Sequence, residues 1–152
     1  MILGGRGALG AKEEVQQLAE KLQAPVAKAL LGKALLPDDS PFTTGGIGRL
    51  GTLASKQMMN ECDTLLILGS NMPYLDYYPE KAIGIQIDRD PQRIGLRYPV
   101  AMGLTGDVQA TLKALLPKIK QQEEKSFLQL AQQKMIEWHK TIKTGRRSIP
   151  TH

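Results

Sequence analysis

The chain has one cysteine, Cys62, and a lone thiol excludes both a disulfide framework and a zinc quartet. Aromatic residues make up 5% of it, with two phenylalanines and one tryptophan, so aliphatic residues and methionine must fill the core. No run of about eighteen apolar residues occurs, which leaves no candidate for a membrane-spanning helix. H-E-x-x-H and C-x-x-C are missing, no Walker pattern surrounds Lys33, and no Ser-His-Asp spacing is present. The two histidines, His139 and His152, both fall in the basic C-terminal region, where solvent exposure is expected. These residues supply no catalytic set. The opening MILGGRG lacks the charged start and long apolar stretch of a signal peptide, and a reducing cytoplasm is the expected location.

A length of 152 residues suffices for one domain with a proper core. The net charge of +5 raises the question of nucleic acid, and its distribution answers it. Residues 1–117 hold twelve basic and twelve acidic side chains, whereas residues 118–152 hold eight and three. The excess therefore belongs to a C-terminal segment that reads as a solvated linker helix, and no nucleic-acid partner is expected.

Two apolar, β-rich runs dominate the centre, Thr64–Leu68 and Ala82–Ile87. Continuous runs of this kind suit strands buried on both faces, as in a parallel sheet covered by helices. Met1-Ile2-Leu3 resembles the stub of a first strand, and a start inside a strand points to a piece of a longer protein. Ala11–Gln23 carries Val15, Leu18, Ala19 and Leu22 on one helical face. Val26–Leu31 is a short strand, and Thr52–Cys62 a helix capped by Thr52, with Cys62 as a small core residue. Pro99–Leu104 gives a further strand, Asp107 caps a helix striped by Val108, Leu112, Leu115, Leu116 and Ile119, and Gln121–Ile142 is a helix that looks appended. Gly32–Gly51, with five glycines and two prolines, is a long loop that must be functional or hide short elements. The alternation predicts an α/β fold with a mostly parallel sheet flanked by helices.

Ligands of such sheets bind beyond the carboxyl ends of the strands. Gly5-Arg6-Gly7-Ala8-Leu9-Gly10 matches G-x-G-x-x-G there, where glycines permit a tight turn and a helix N-terminus offers free N–H groups to a diphosphate. The alternative is a tight turn without a ligand. A free-standing NAD enzyme is disfavoured, because no acid follows the second strand. Gly45-Gly46-Ile47-Gly48-Arg49-Leu50-Gly51 leads into the next helix, and Arg49 offers a fork of donors; a mobile surface loop is the competing reading. Ser70-Asn71-Met72-Pro73-Tyr74 follows a strand end and could line a pocket. Asp88 could accept from ribose hydroxyls, or could instead cap the turn at 90–94.

Taken together, GGRGALGAKEEVQQLAEKLQAPV, GKALLPDDSP, LLILGSNMPY, IQIDRDPQRIG and LTGDVQATLKALLP resemble the central domain of thiamine-diphosphate-dependent enzymes over residues 1–120. LGSNMPY, YYPE and IQIDRDP look most like the pyruvate oxidases, while residues 121–152 are similar to the connector leading to a thiamine-diphosphate-binding domain. The resemblance implies a six-stranded, Rossmann-like sheet binding FAD in an extended pose. Gly5, Gly7 and Ala8 would approach its diphosphate, Ile47, Gly48, Arg49 and Leu50 form a second contact, and Ser70, Asn71, Met72, Pro73 and Tyr74 a third. Asp88 and Arg89 would hold the adenosine end, with Gly106 and Asp107 near the adenine. Leu9 stands where related oxidases often carry a basic residue. Thiamine diphosphate and Mg2+ would sit in flanking domains of the full-length protein, a homo-oligomer of the tetramer type acting on pyruvate, membrane-peripheral if its electron acceptor is a quinone. A relative of the acetolactate synthase or decarboxylase type, whose central domain has a structural role, is the alternative.

Overall fold

A computed structural model describes residues 1–147. Six strands form one sheet: β1 (Ile2–Gly4), β2 (Val26–Lys28), β3 (Thr43–Gly46), β4 (Thr64–Leu68), β5 (Ile83–Asp88) and β6 (Met102–Thr105). Their spatial order is β3-β2-β1-β4-β5-β6 and every pairing is parallel. This is the doubly wound order in which the winding direction reverses between β1 and β4.

The helices are α1 (Lys12–Leu22), α2 (Leu53–Glu61), α3 (Val108–Leu115) and α4 (Ser126–Arg147). One face of the sheet is covered by α1 and α3, where Val15, Leu18, Leu112 and Leu116 meet Ile2, Leu68 and Ile87. The other is covered by α2 and the first turns of α4, where Met58, Met59 and Ala131 meet Leu3, Leu65 and Ile67. With so few aromatics, methionine does fill the second layer. The two expected caps form: Thr52 Oγ1 accepts from the Ser55 N–H and Asp107 Oδ1 from that of Ala110. Cys62 is buried, and burial pushes its thiol above the ordinary value, as suits a core residue.

Several elements differ from the sequence reading. A 3-10 segment, Arg6–Ala11, precedes α1, so the glycine turn does not open directly onto an α-helical N-terminus. The second strand stops at Lys28 and a 3-10 turn, Leu30–Gly32, follows. The long loop contains β3, a strand without an apolar run. Thr43 and Thr44 are buried, and Thr44 Oγ1 pairs with Ser55 Oγ at 2.8 Å, so hydrogen bonds replace hydrophobic contacts. Helix α4 starts at Ser126; residues 121–122 instead bond Glu20 and Lys21 in α1. Phe127, Leu130 and Ala131 pack into the second layer, while Ile142, at the far end of the same stripe, is 39% exposed. Among the described residues no helix is long and apolar enough to cross a membrane.

At the reversal point, Gly69 has φ +55°, and a Cβ there would lie 2.5 Å from Gly7 Cα. Gly69→Ala is expected to lower stability by about 2–4 kcal/mol, combining backbone strain with a clash. Gly10→Ala, which meets nothing within 4 Å, should stay near neutral. Urea unfolding midpoints check the pair, and equal midpoints would contradict the close approach.

Candidate functional site

All the turns singled out in the sequence lie at the carboxyl rim of the sheet, since each follows the C-terminal end of a strand. The rim is not one groove. At the reversal point the β1 and β4 turns touch through their main chains: the Gly5 N–H donates to Leu68 O at 3.0 Å and the Gly7 N–H to Gly69 O at 2.9 Å. The Ala8 N–H donates back to Gly5 O at 3.1 Å. Gly5, Gly7 and Ala8 therefore spend their amides inside the protein, and the glycines serve backbone packing where the sequence suggested a free diphosphate cradle.

Two clefts flank this seam. The first, about 370 Å3, lies between the ends of β1, β4, β5 and β6 and is lined by Gly7, Gly106, Asp88 and three arginines, Arg6, Arg89 and Arg93. Asp88 is buried and lines the cleft; its Oδ1 accepts from the Asp90 N–H at 3.0 Å, while the turn that follows is capped by Asp90, whose Oδ1 accepts from the Gln92 N–H. Arg89 reaches Asp107 at 3.1 Å, an exposed pair whose charges largely cancel. The helix cap from the Ala110 N–H, and secondarily Arg89, holds the Asp107 carboxyl below the ordinary value.

The second cleft, about 220 Å3, lies between the ends of β2 and β3. Ile47, Arg49, Leu50 and Tyr74 line it, which brings the second and third predicted segments together. Gly48 has φ +111°, and the Tyr74 ring packs over it so closely that a Cβ would sit 2.9 Å from Cδ2. The Arg49 guanidinium lies 5.7 Å from the centre of the same ring.

The remaining predicted residues are not gathered into either cleft. Asn71 Oδ1 accepts from Arg97 Nε at 3.0 Å, Met72 is a core residue, and Pro73 is exposed. Ser70 is buried with Oγ lacking a hydrogen-bond partner, an orphan that a ligand hydroxyl or water would satisfy. Among the described residues no group of three or more metal-ligating side chains occurs.

Sequence reasoning missed Lys28. It is 1% exposed at the end of β2, and its Nζ donates to Leu36 O at 2.8 Å and to Asp38 Oδ1 at 2.6 Å. The signal was present, since a lysine interrupting the apolar stretch Val26–Leu31 needs a reason to be there.

A family model described as thiamine pyrophosphate enzyme, central domain, matches residues 1–115. A Bacillus subtilis protein named for its thiamine pyrophosphate content, YdaP, is 38% identical over 99% of this chain and 26% of its own. A sulfoacetaldehyde acetyltransferase of Roseovarius nubinhibens is 35% identical over 78% of this chain and 21% of its own. A Methanocaldococcus jannaschii protein named for the large subunit of acetolactate synthase is 35% identical over 76% and 21%. An X-ray structure of a thiamin diphosphate-dependent enzyme from Mycobacterium smegmatis matches with a TM-score of 0.66 and 28% identity, over 82% of this chain and 25% of that one. The chain thus spans about a quarter of the length of these relatives.

The Lys28 pair has a measurable signature. The hydrogen bond from Lys28, and then its charge, holds the Asp38 carboxyl below the ordinary value of 3.8. A depressed carboxyl contributes stability above its unfolded value, and that contribution fades as pH falls through the folded one. An NMR titration of the Asp38 carboxyl should give a midpoint below 3.8, returning toward it in Lys28→Met. A wild-type midpoint at or above the ordinary value would contradict the pair.

Proposed function

The chain belongs to the thiamine pyrophosphate enzyme central-domain family, and from that premise we propose that it serves an acyl-transferring or decarboxylating enzyme of the acetolactate synthase type. In this reading the domain has a non-redox role: residues 1–120 join the flanking cofactor-binding domains and subunits, and residues 121–152 lead toward the next domain. The main observation in support is the main-chain seam at the reversal point, which commits the Gly5, Gly7 and Ala8 amides to the protein itself. The relatives named as an acetyltransferase and an acetolactate synthase agree with it. Thiamine diphosphate supplies the carbanion-stabilising chemistry of such enzymes, and this chain supplies position. Its 2-oxo acid substrate, pyruvate included, and the Mg2+ that accompanies the diphosphate would be handled by residues outside it.

The pyruvate oxidase reading keeps one specific support, the first cleft. Arg6 and Arg93 beside Asp88, with the unpartnered Ser70 Oγ nearby in sequence to Gly69 at the seam, suit the adenosine and phosphate portions of FAD. In that reading Arg49 and Tyr74 would meet the other end of the molecule across the seam. The two readings separate on one preparation. The full-length protein, supplied with thiamine diphosphate, Mg2+ and pyruvate, should release CO2 without consuming oxygen or reducing a quinone, and Arg49→Ala should leave that rate within about twofold. Turnover that requires an electron acceptor, together with flavin absorbance near 450 nm lost in Arg49→Ala, would transfer the assignment to the oxidases.

A further inference from the structure

The two edges of the sheet differ. At one, β3 is buried or half-buried along its length, α4 packs against it, and a register shift interrupts its pairing with β2. At the other, β6 stands bare. All four of its residues are exposed, Met102 to 54% and Leu104 to 37%, and its one neighbour in the sheet is β5. Among the described residues no main-chain hydrogen bond from beyond β5 reaches Met102–Thr105, so one row of backbone donors and acceptors faces outward. Natural edges are blunted by a lysine, a proline or a bulge, and the strand MGLT has none of them.

The bare strip is also apolar and neutral. Met102 and Leu104 pair with Ile85 and Ile87, which puts them on the α1 and α3 face, and exposed Ile83 continues the strip at the start of β5. In the neighbouring turns Arg89 lies on Asp107, Arg93 on Asp90, and Arg97 donates to Asn71. An edge without net sign does not repel its own copy, and a second copy supplies a strand of the same length and apolar content. We propose that β6 pairs antiparallel with β6 of a second copy, across a two-fold axis perpendicular to the sheet, joining two six-stranded sheets into one. Residues directly opposite one another in such a pair share a face. Centring the axis on Gly103 sets Met102 against the partner's Leu104, and Leu104 against the partner's Met102. Centring it on Leu104 would leave Met102 against a glycine, Gly106. A four-residue strand buries only part of the roughly 800 Å2 per partner that a stable interface needs, so other parts of the full-length protein must add to it. The pairing gives the assembly role proposed above a named surface, and it rests on that reading.

Directly opposite Cα atoms in an antiparallel pair lie about 4.5–5.5 Å apart, within the reach of a disulfide. The full-length protein carrying Met102→Cys and Leu104→Cys together should therefore form a covalent dimer under mild oxidation. On a non-reducing gel its yield should exceed that of either single variant about fivefold, since a lone new thiol faces a native side chain. Cys62 is buried and common to all three proteins. Leu104→Lys, a change at an exposed position, should remove one association step in sedimentation velocity while the urea midpoint stays in place. A double variant that crosslinks no better than the single ones overturns the pairing, as does undiminished mass in Leu104→Lys. An oligomer that persists in those cases leaves the assembly role standing, whereas a protein that is monomeric throughout removes both.

Discussion

The meeting of two backbones at the reversal point constrains everything around it. In this strand order β1 and β4 are neighbours, and both turns leave the same edge of the sheet. They come so close that side chains have no room: a Cβ on Gly5 would lie 2.6 Å from Ser70 Cα, and one on Gly7 2.8 Å from Gly69 Cα. The same glycine pattern that elsewhere admits a phosphate here admits another stretch of main chain. Because N–H donors that point at a carbonyl cannot also point at a ligand, the seam divides the rim and leaves ligand chemistry to either side of it.

The two sides are built differently. Toward β5 and β6 the cleft is polar and arginine-rich, but its charges are partly spoken for: Arg89 lies on Asp107, and Arg93 lies 3.4 Å from Asp90. Such exposed pairs are weak and screened by salt, so an incoming anion would exchange partners at small cost. Toward β2 and β3 the cleft has an apolar, aromatic wall, with Lys33 and Arg49 also lining it. The Lys28 side chain beneath the same loops is buried, so its partners Leu36 O and Asp38 matter more than those of a surface charge. A single elongated ligand would have to cross the seam over backbone, whereas two separate small ligands would not.

Much of this was legible in the sequence, and the losses have physical reasons. Thr64–Leu68 and Ala82–Ile87 were readable because parallel central strands are apolar on both faces. Thr52 and Asp107 were readable because an N-cap has a local cause, one side-chain oxygen on an N–H three residues ahead. Strand β3 was hidden: its buried threonines are satisfied by Val26 O and Ser55 Oγ, which no local pattern announces, and its Gly45 takes φ +85° where the register shifts. The rim residues were found by position in sequence, but their partners lie far along the chain. Asn71 answers to Arg97 and Gly5 to Leu68. Periodicity places a residue on an element; it cannot say which loop comes to meet it.

Gln86 shows how those distant loops come to act as one. It is buried in β5, on the sheet face opposite Ile87, and both ends of its carboxamide are used: Nε2 donates to Arg93 O at 3.1 Å and Oε1 accepts from the Gly95 N–H at 2.9 Å. The loop that carries Arg93 is thereby fixed to the sheet by a side chain standing in for a strand. Four residues beyond Arg93, Arg97 holds Asn71, which ties the β4 turn to the same loop. Tyr74, at the end of that turn, closes over Gly48 and meets Arg49 beyond β3. A continuous chain of contacts thus runs from β5 to β3 around the outside of the rim, parallel to the glycine seam within it. With the seam inside and this chain outside, the turns have little freedom to rearrange around a ligand. A ligand of this rim would therefore meet preformed clefts, with adjustment left to exposed side chains such as Lys33.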